Sequence, residues 1–306
     1  MENNQPLVSV IMNCYNSDKY LKEAIDSVIA QTYTNWEIIF WDNQSRDKSA
    51  EIVKSYNDER IKYFYAEQHT TLGEGRNKAL EKVNGEFISF LDCDDLYLPQ
   101  KLEKTLKYFK EDNIGLVYTN GYTLFEDKNI KKLFYKKEQL SGELFEVWLS
   151  SYQVMIPSVM FRKKVLNSLD YWFDNRFNMI EEFDFFIRIA QKWNINYCHD
   201  NLCMWRAHAN SMTWSKKELF EKENKQFLDD IVKLNPELDG KNCIKKFQSK
   251  IAYQGFYNNW VKTKKANREL LTPFLKVEKR LILIYILSFF GLNNFNKFLK
   301  MIGKNV

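Results

Sequence analysis

The first 120 residues alternate short apolar runs with longer amphipathic stretches. The apolar runs are rich in β-branched and aromatic residues and predict five buried strands, at 7–12, 36–41, 61–65, 87–91 and 115–119. Apolar positions at helical spacing predict four helices between them, at 19–30, 47–56, 72–83 and 101–109. This alternation predicts an α/β fold in which helices flank a mainly parallel sheet.

The rest of the chain has a less regular pattern. Up to residue 240 it predicts a hairpin at 122–135, an edge strand or loop at 154–161, short strands at 196–197 and 202–206, and helices at 142–150, 180–193 and 215–234. Most of 243–306 is predicted to be helical. Because the charge balance changes near residue 240, we expect a main domain over 1–240 and a helical C-terminal region over 241–306.

Charge is distributed unevenly along the chain. Residues 241–306 carry 14 Lys and Arg and two acidic residues, a net charge of +12, whereas residues 1–240 carry a net charge of −7. The apolar run at 281–292 is shorter than the roughly 20 residues that a membrane-spanning helix needs. Flanked by basic residues, it fits either the interface of an anionic membrane, through 276–304, or a docking site on the main domain. The basic region has no recognisable nucleic-acid-binding motif, so nucleic acid is not an expected partner.

The five cysteines are scattered, and the first six residues are polar apart from Met1 and the proline. The odd number of cysteines and the lack of a signal peptide favour free thiols in a reducing cytoplasm. Cys198, His199, Cys203 and His208 are close in sequence, but their spacing matches no standard zinc site. A composition of 45% apolar and 28% charged residues excludes a disordered chain and a polytopic membrane protein.

The strongest candidate for chemistry is the run Asp92-Cys93-Asp94-Asp95, directly after the fourth predicted strand. Ligands of open α/β sheets bind at the carboxyl ends of the strands. Clustered carboxylates repel one another, and a hard cation such as Mg²⁺ or Mn²⁺ relieves that repulsion while leaving positions for phosphate oxygens. A helix N-cap is the structural alternative. The position after a buried strand favours metal and phosphate.

Polar residues also follow the first two strands and open the third helix. Asp42 ends the second strand and can accept hydrogen bonds from a base or ribose, although its loop alone favours a structural role. Tyr15 can stack on a base or cover the end of the sheet. Arg76 follows Gly73 and Gly75 at a helix N-terminus, which suits a phosphate group. Neither a Walker loop nor a G-x-G-x-x-G after the first strand is present, which argues against a dinucleotide site.

The order of these features resembles glycosyltransferase family 2, the inverting nucleotide-sugar enzymes with the GT-A fold. The matching segments are VSVIM at 8–12 with Tyr15-Asn16, QTY at 31–33 with Ser27, WEII at 36–39 with Asp42, Ser45 and Asp47, Arg76-Asn77, and GEFI at 85–88 with LDCDD at 91–95. The resemblance covers about 5–125 well and continues more weakly to about 215. Asn13, Asn43 and Gly75 depart from the pattern, in which proline, aspartate and alanine are frequent.

By position, the resemblance implies roles in a donor half over about 1–125. Tyr15 and Asn16 would line the nucleoside pocket, and Asp42 would hydrogen-bond the base, usually uracil. Arg76 would hold the base or the diphosphate, and Asp92 would bind the ribose side.

The acceptor half, over about 126–240, has its own signature at 179–188. There Glu182 corresponds to the family's catalytic base, where aspartate is usual. Glu181 and Asp184 are the alternative bases. Asp184 and Arg188 stand four residues apart on a predicted helix, however, so a structural ion pair suits Asp184 better. The helix N-terminus would stabilise an ionised base.

The resemblance also implies a metal site and an activity. Asp94 would bind the Mg²⁺ or Mn²⁺ ion that bridges the diphosphate, and His208 would reach the metal or diphosphate unless it is structural. The activity would be inverting transfer from a nucleotide sugar, UDP-linked, to a hydroxyl of a saccharide or lipid-linked saccharide, in surface-polysaccharide or glycoconjugate synthesis. It would take place in the cytoplasm or on the inner face of the membrane. A polyprenyl-phosphate sugar transferase, a nucleotidyltransferase and a non-catalytic binding module are the alternatives.

Overall fold

The computed structural model describes residues 5–126, 130–208 and 217–301, which fall into two compact units. One lies within Met1–Phe145 and Gln153–Ser211, the other within Glu146–Tyr152 and Met212–Val306. The strands are β1 Val8–Cys14, β2 Trp36–Asp42, β3 Ile61–Tyr65, β4 Phe87–Phe90, β5 Leu96–Tyr97, β6 Ile114–Phe125, β7 Ile130–Leu133, β8 Met160–Arg162 and β9 Asn194–Ala207. The helices up to residue 208 are α1 Asp18–Ile29, α2 Ser49–Lys54, α3 Leu72–Leu80, α4 Lys101–Leu106, α5 Phe145–Ser150 and α6 Glu181–Lys192.

These strands form one mixed sheet in the order β3-β2-β1-β4-β8-β6-β9-β5, with β7 paired to β6. The predicted parallel arrangement is present among β1 to β4. The segment expected as an edge strand or loop at 154–161 instead contains β8, a central strand. It runs antiparallel between β4 and β6. The expectation of an edge position was wrong because strand neighbours are set by pairing between distant segments, which a local pattern does not record.

Two strands are longer than their sequence patterns predict. β6 begins with the expected fifth strand and continues into the first arm of the predicted hairpin, whose second arm is β7. β9 joins the two short strands expected at 196–197 and 202–206. β6 and β9 pair in parallel along most of their length, with bulges that absorb register shifts, so each strand supports the extension of the other.

The core of the first unit lies where the helices cover the sheet. Every residue of β2 is buried, which accounts for the apolar run at 38–41. On α1, the side chains of Leu21, Ile25 and Val28 are fully buried and pack in the same cluster as Val10 of β1. The five cysteines are buried and free. Their free state agrees with the sequence-based expectation.

The second unit is helical, with α7 Lys217–Leu234, α8 Asn242–Thr263, α9 Lys279–Leu287 and α10 Leu292–Met301. An apolar cluster built around Phe256, Trp260, Leu281 and Phe295 forms its core. The compact units divide the chain near residue 211, whereas the charge balance changes near 240, so α7 groups with the basic helices. Among the described residues, no helix combines the length and the apolar character that crossing a bilayer requires.

Candidate active site

The carboxyl ends of β1, β2 and β4 meet at one edge of the sheet because these strands are parallel neighbours. Asp42 is the last residue of β2, and Asp92 and Asp94 closely follow β4. α3 packs against β1 and β2. Its N-cap, Thr71, accepts the backbone N–H of Glu74 at 3.2 Å. The structure therefore gathers the predicted donor-side residues at one edge.

Arg76 joins this edge to the start of α6. Its guanidinium donates to Glu181 Oε1 at 2.8 Å and to Asp92 Oδ1 at 3.2 Å. The side chains of Arg76 and Glu181 are 2% and 4% exposed, whereas Asp92 keeps 37% of its surface. The rings of Phe90 and Phe173 lie 5.8 Å and 5.5 Å from the guanidinium. A residue that the sequence suggested for phosphate or base binding is thus also the centre of a buried ion-pair network.

Glu182 lies beside this network in the first turn of α6. Burial and the neighbouring charge of Glu181 raise the pKa of Glu182 to about 8, while the positive charge of Arg76 acts in the opposite direction. The helix dipole favours negative charge in this turn, but it does not outweigh burial, so the carboxyl group is mostly protonated at pH 7 and ionises as the pH approaches 8. The expectation that the helix N-terminus keeps the base ionised is corrected to this extent. A carboxyl group with such a pKa is suited to accept a proton during a reaction.

Asp184 in the same turn is engaged by Arg188, as its spacing predicted. Arg188 donates to Asp184 Oδ2 from Nε at 3.1 Å and from Nη2 at 2.7 Å. The same guanidinium donates to the backbone carbonyl oxygens of Tyr171 and Trp172. Burial raises the pKa of Asp184. This pair anchors α6 to the preceding loop, so the geometry favours Glu182 over Asp184 as a base.

Asp94 and His208 form a second part of the site. Nε2 of His208 lies 2.9 Å from Asp94 Oδ2, and the two side chains are 14% and 34% exposed. Arg206 donates from Nε to the backbone carbonyl of Asp94 at 2.9 Å, and the ring of Tyr20 lies 5.3 Å from the His208 ring. The structure therefore brings together the two residues that the resemblance assigned to the metal.

The metal-binding atoms offered by Asp94 and His208 fit a divalent cation that is also bound by a diphosphate. Such a cation takes one or two carboxylates from the protein and its other ligands from water and phosphate. Asp94 supplies a carboxylate and His208 an imidazole nitrogen, both partly exposed. In the described part of the chain, the segment from Cys198 to His208 included, no three His, Cys, Asp or Glu side chains form a preassembled metal cluster. The residues thus suit a metal held jointly with the ligand.

Asp95, the third carboxylate of the run, is an anchor. Its Oδ1 accepts the backbone N–H of Arg206 at 2.8 Å, which ties the acidic run to β9. Burial, followed by the charges of Asp94 and Asp92, raises the pKa of Asp95 well above its usual range. Burial also raises the pKa of Asp92, and Arg76 opposes that shift. The crowding of like charges that the sequence suggested is therefore present in the fold.

Tyr15 and Asn16 follow β1 at the same edge. Tyr15 is half exposed, and its ring centroid lies 4.4 Å from that of His69. Asn16 has a positive φ of 50°, and its Oδ1 accepts the backbone N–H of Arg46 at 2.8 Å. This bond holds the loop after β1 against the loop after β2. The exposed aromatic pair offers a face on which a base can stack.

Asp42 is fully buried. Its Oδ1 accepts the backbone N–H of Ser45 at 2.7 Å, and its Oδ2 accepts the hydroxyl of Tyr63 at 2.6 Å. These bonds give Asp42 the structural role that its loop favoured. A hydrogen bond that Asp42 accepts from a base stays a prediction.

Sequence reasoning missed His69 and the anchoring role of Arg206. Nδ1 of His69 lies 2.9 Å from the carbonyl oxygen of Asn43, so the loop after β2 positions the ring beside Tyr15. The only sequence feature that could have drawn attention to His69 is the rarity of histidine, of which the chain has three. For Arg206, that feature is its position two residues before His208.

A mixed sheet flanked by helices, with acidic residues at the carboxyl edge of its parallel strands, matches the GT-A fold of glycosyltransferases of known structure. The solved structure of residues 1–349 of Staphylococcus aureus TarS in complex with UDP-GlcNAc has the same fold. It superposes with a TM-score of 0.66 at 20% identity and covers 88% of this chain and 81% of that one. The expected fold class is confirmed.

The family described as glycosyl transferase family 2 matches residues 9–170, and the chain belongs to this family. An uncharacterized glycosyltransferase of Methanocaldococcus jannaschii is 35% identical over 211 residues, which are 67% of this chain and 72% of that protein. The Escherichia coli protein WfgD, named UDP-Glc:alpha-D-GlcNAc-diphosphoundecaprenol beta-1,3-glucosyltransferase, is 30% identical over 62% of this chain and 72% of its own length. Five such relatives are matched over 50–72% of their lengths. The chain is thus a glycosyltransferase.

Proposed function

We propose that the enzyme is an inverting glycosyltransferase that moves a sugar from a UDP-linked donor to a hydroxyl group of a saccharide or lipid-linked saccharide, in surface-polysaccharide or glycoconjugate synthesis. The observation that carries the proposal is the buried Arg76 network, which links Asp92 on the donor side to Glu181, the neighbour of Glu182. The UDP-GlcNAc bound to TarS and the lipid-linked acceptor in the name of WfgD support the choice of donor and acceptor.

On the donor side, the base would stack on the exposed ring of Tyr15, beside His69. Asn16 would line this pocket, and Asp42 would hydrogen-bond the base. Asp92 would meet the ribose, because Arg76 holds one of its oxygens while more than a third of the side chain stays exposed. The position of these residues at the carboxyl edge of parallel strands, where α/β sheets bind ligands, supports the assignment.

On the acceptor side, Glu182 would take the proton of the acceptor hydroxyl. The oxygen then forms a bond to the anomeric carbon as the bond from that carbon to the diphosphate oxygen breaks, and the electron pair leaves with the nucleoside diphosphate. This direct displacement inverts the configuration and needs no covalent enzyme intermediate. General base catalysis of this kind contributes about 10²–10⁴-fold in rate. Glu181 positions Arg76, and Asp184 positions α6 through Arg188.

A divalent ion, Mg²⁺ or Mn²⁺, would be held by Asp94 and His208, which face each other at 2.9 Å. When bound, such an ion offsets the negative charge that develops on the departing diphosphate. Arg206 keeps the Asp94 backbone in place by donating to its carbonyl oxygen. The protein would thus contribute two metal-binding atoms, one from Asp94 and one from His208, to a cation that is also bound by the diphosphate.

The first experiment measures donor binding and the product of the reaction. Thermal stabilisation by a panel of nucleotide sugars, with and without Mg²⁺ or Mn²⁺, identifies the donor, because a bound ligand raises the melting temperature by mass action. We expect UDP-sugars with metal to give the largest shift, and free UDP to appear on incubation with a saccharide acceptor. Release of pyrophosphate would indicate a nucleotidyltransferase instead. No turnover with any donor would indicate a binding module.

The second experiment assigns the residues. Glu182→Gln should retain metal-dependent stabilisation by UDP-sugar and lose at least about 100-fold in turnover. The control Glu86→Gln changes a carboxylate that is 62% exposed and should leave both unchanged. Asp94→Asn should lose the metal-dependent part of the stabilisation, whereas Asp112→Asn, at a side chain 95% exposed, should keep it. Unchanged turnover of Glu182→Gln would reject Glu182 as the base.

We further propose that the enzyme acts peripherally on the inner face of the membrane, where a lipid-linked saccharide would be available. We do not propose nucleic acid as a partner. The surface that supports the membrane partner belongs to the second unit.

A further inference from the structure

The helix α9 in the second unit is apolar on all sides. Its sequence, from Lys279 to Leu287, contains only one polar side chain, that of Tyr285, after the first two basic residues. Leu281, Ile284 and Leu287 on one side pack into the apolar cluster of this unit. A helix that is apolar all round is normally buried on all sides or placed in a membrane. The other side of α9 therefore needs an explanation.

That other side is exposed. Five apolar side chains at the spacing i, i+1, i+4, i+7 and i+8 lie along it and through the short 3₁₀ turn that follows. They are Ile282 (44% exposed), Leu283 (48%), Ile286 (50%), Phe289 (62%) and Phe290 (64%). We call these five residues the α9 apolar face. On soluble proteins, several exposed apolar side chains side by side often mark a place where another molecule binds.

Phe289, near the end of this face, is held in place. Arg268 stacks on the ring of Phe289 with 3.7 Å between its guanidinium carbon and the ring centroid. The same guanidinium donates to Ser288 Oγ at 2.7 Å and to the Ser288 backbone carbonyl at 3.0 Å. Gly291 ends the turn at a positive φ of 84°, a conformation that favours glycine. The fold thus fixes an exposed aromatic end rather than leaving it to collapse onto the core.

Basic residues flank this face along the chain. Lys276, Lys279 and Arg280 are exposed just before it, and Lys297 is exposed just after it. Arg280 pairs with Glu278 at 3.7 Å, which leaves the other three basic side chains as the excess positive charge. An isologous contact between two copies of the chain would bring the same basic residues of both copies close together, and like charges across an interface oppose association. An anionic lipid surface attracts these residues while its acyl region accepts the apolar side chains. At nine residues, α9 is far too short to cross a bilayer.

We propose that the α9 apolar face seats the protein in the interface of a membrane that contains anionic lipid. The side chains of Phe289 and Phe290 enter the boundary between headgroups and acyl chains, and Lys276, Lys279 and Arg280 contact the headgroups. This inference rests on the proposed peripheral action at the membrane and names the surface responsible, but it does not depend on glycosyl transfer.

The test is flotation of the full chain with vesicles of phosphatidylcholine alone or with about 30% phosphatidylglycerol. We expect the wild-type protein to float with the anionic vesicles, and the floating fraction to fall when salt is raised from about 0.1 M to about 0.5 M. The double variant Phe289→Ser/Phe290→Ser should lower the fraction bound at least about tenfold. Leu234→Ser on α7 is the matched control, because Leu234 is 69% exposed outside this face and its loss should change nothing.

Two further variants test the apolar and the electrostatic parts of the proposal separately. Ile286→Glu places a charge in the middle of the face at a half-exposed position, and should abolish flotation even if the double phenylalanine variant folds poorly. Lys279→Glu/Arg280→Glu should remove the preference for anionic vesicles. Flotation of Ile286→Glu equal to that of wild type would overturn the proposal. A wild-type protein that stays in the bottom fraction with anionic vesicles would also overturn the proposal. A wild-type dimer formed through this face would overturn it as well, and light scattering would show it as a mass twice that of Ile286→Glu.

Discussion

Replacement of Arg76 by methionine tests whether the centre of the site is held by a buried charge network. Methionine keeps the aliphatic part of the side chain and removes the charge, the donors and the guanidinium that faces the rings of Phe90 and Phe173. Glu181, 4% exposed, then loses the cation at 2.8 Å, and Asp92 loses the donor at 3.2 Å. Breaking a buried pair by removing one partner costs about 3–5 kcal/mol, because the remaining charge stays desolvated.

A double variant separates this penalty from a loss of packing. In Arg76→Met/Glu181→Gln the buried negative charge is also gone. Replacement of a whole buried pair by well-packed hydrophobic residues is often close to neutral, but the glutamine amide is polar and keeps part of the penalty. We therefore expect the double variant to be more stable than Arg76→Met by about 2 kcal/mol. Asp92 contributes less to the difference because its side chain is 37% exposed and water can solvate it.

The assay is equilibrium unfolding in urea at neutral pH, followed by circular dichroism and tryptophan fluorescence. Lys78→Met is the control on the same helix, because the Lys78–Glu81 pair has side chains 47% and 46% exposed and should contribute less than about 1 kcal/mol. Equal stability of Arg76→Met with and without Glu181→Gln would refute the reasoning. A cost of Arg76→Met no larger than that of Lys78→Met would refute it as well.

Four further predictions concern ionisation and close packing. Since burial raises the pKa of Glu182 to about 8, kcat/KM should rise with pH up to about 8; a flat profile from pH 6 to 9 would contradict this. The same shift reduces folding stability as pH rises from about 4.5 to 8, so Glu182→Gln should be the more stable protein at pH 8, as measured by Tm. Gly85→Ala should destabilise by about 1–3 kcal/mol in urea unfolding, because its Cβ would lie 2.6 Å from the backbone nitrogen of Ser9. Gly75→Ala, whose Cβ would meet Asn13 Nδ2 at 3.2 Å, should cost less than about 1 kcal/mol, and a larger loss would show that Asn13 cannot yield.

The contact between Gly75 and Asn13 also shows how the sequence and the fold inform each other. Both positions depart from the family pattern, and the sequence treats them as separate substitutions 62 residues apart. In the fold, the missing Cβ of Gly75 leaves space beside the amide of Asn13. Two departures that look independent along the chain therefore belong to one local packing arrangement.

Most of the regular elements could be predicted because their signals are local. The apolar runs of β1 to β4 and the helical spacing of α1 and α6 lie within a few residues, and parallel neighbours necessarily bring their carboxyl ends to one edge. Tyr15, Asp42 and Asp92 could therefore be assigned to the same region before the fold was known. The family followed from the order of these motifs, and the matched residues 9–170 agree with it.

The placement of β8 and the partners within the site depended on tertiary structure. Arg76 meets a carboxylate 105 residues away, and His208 meets one 114 residues away. Asp184 is paired with Arg188, whereas Glu182 has a raised pKa beside the paired Glu181. This difference depends on burial and on such distant contacts. The sequence by itself determined the elements, the family and the residues at the strand ends, because periodicity and motif order are local. Only the fold decided the charge network, because pairing and desolvation arise between segments that the chain order keeps far apart.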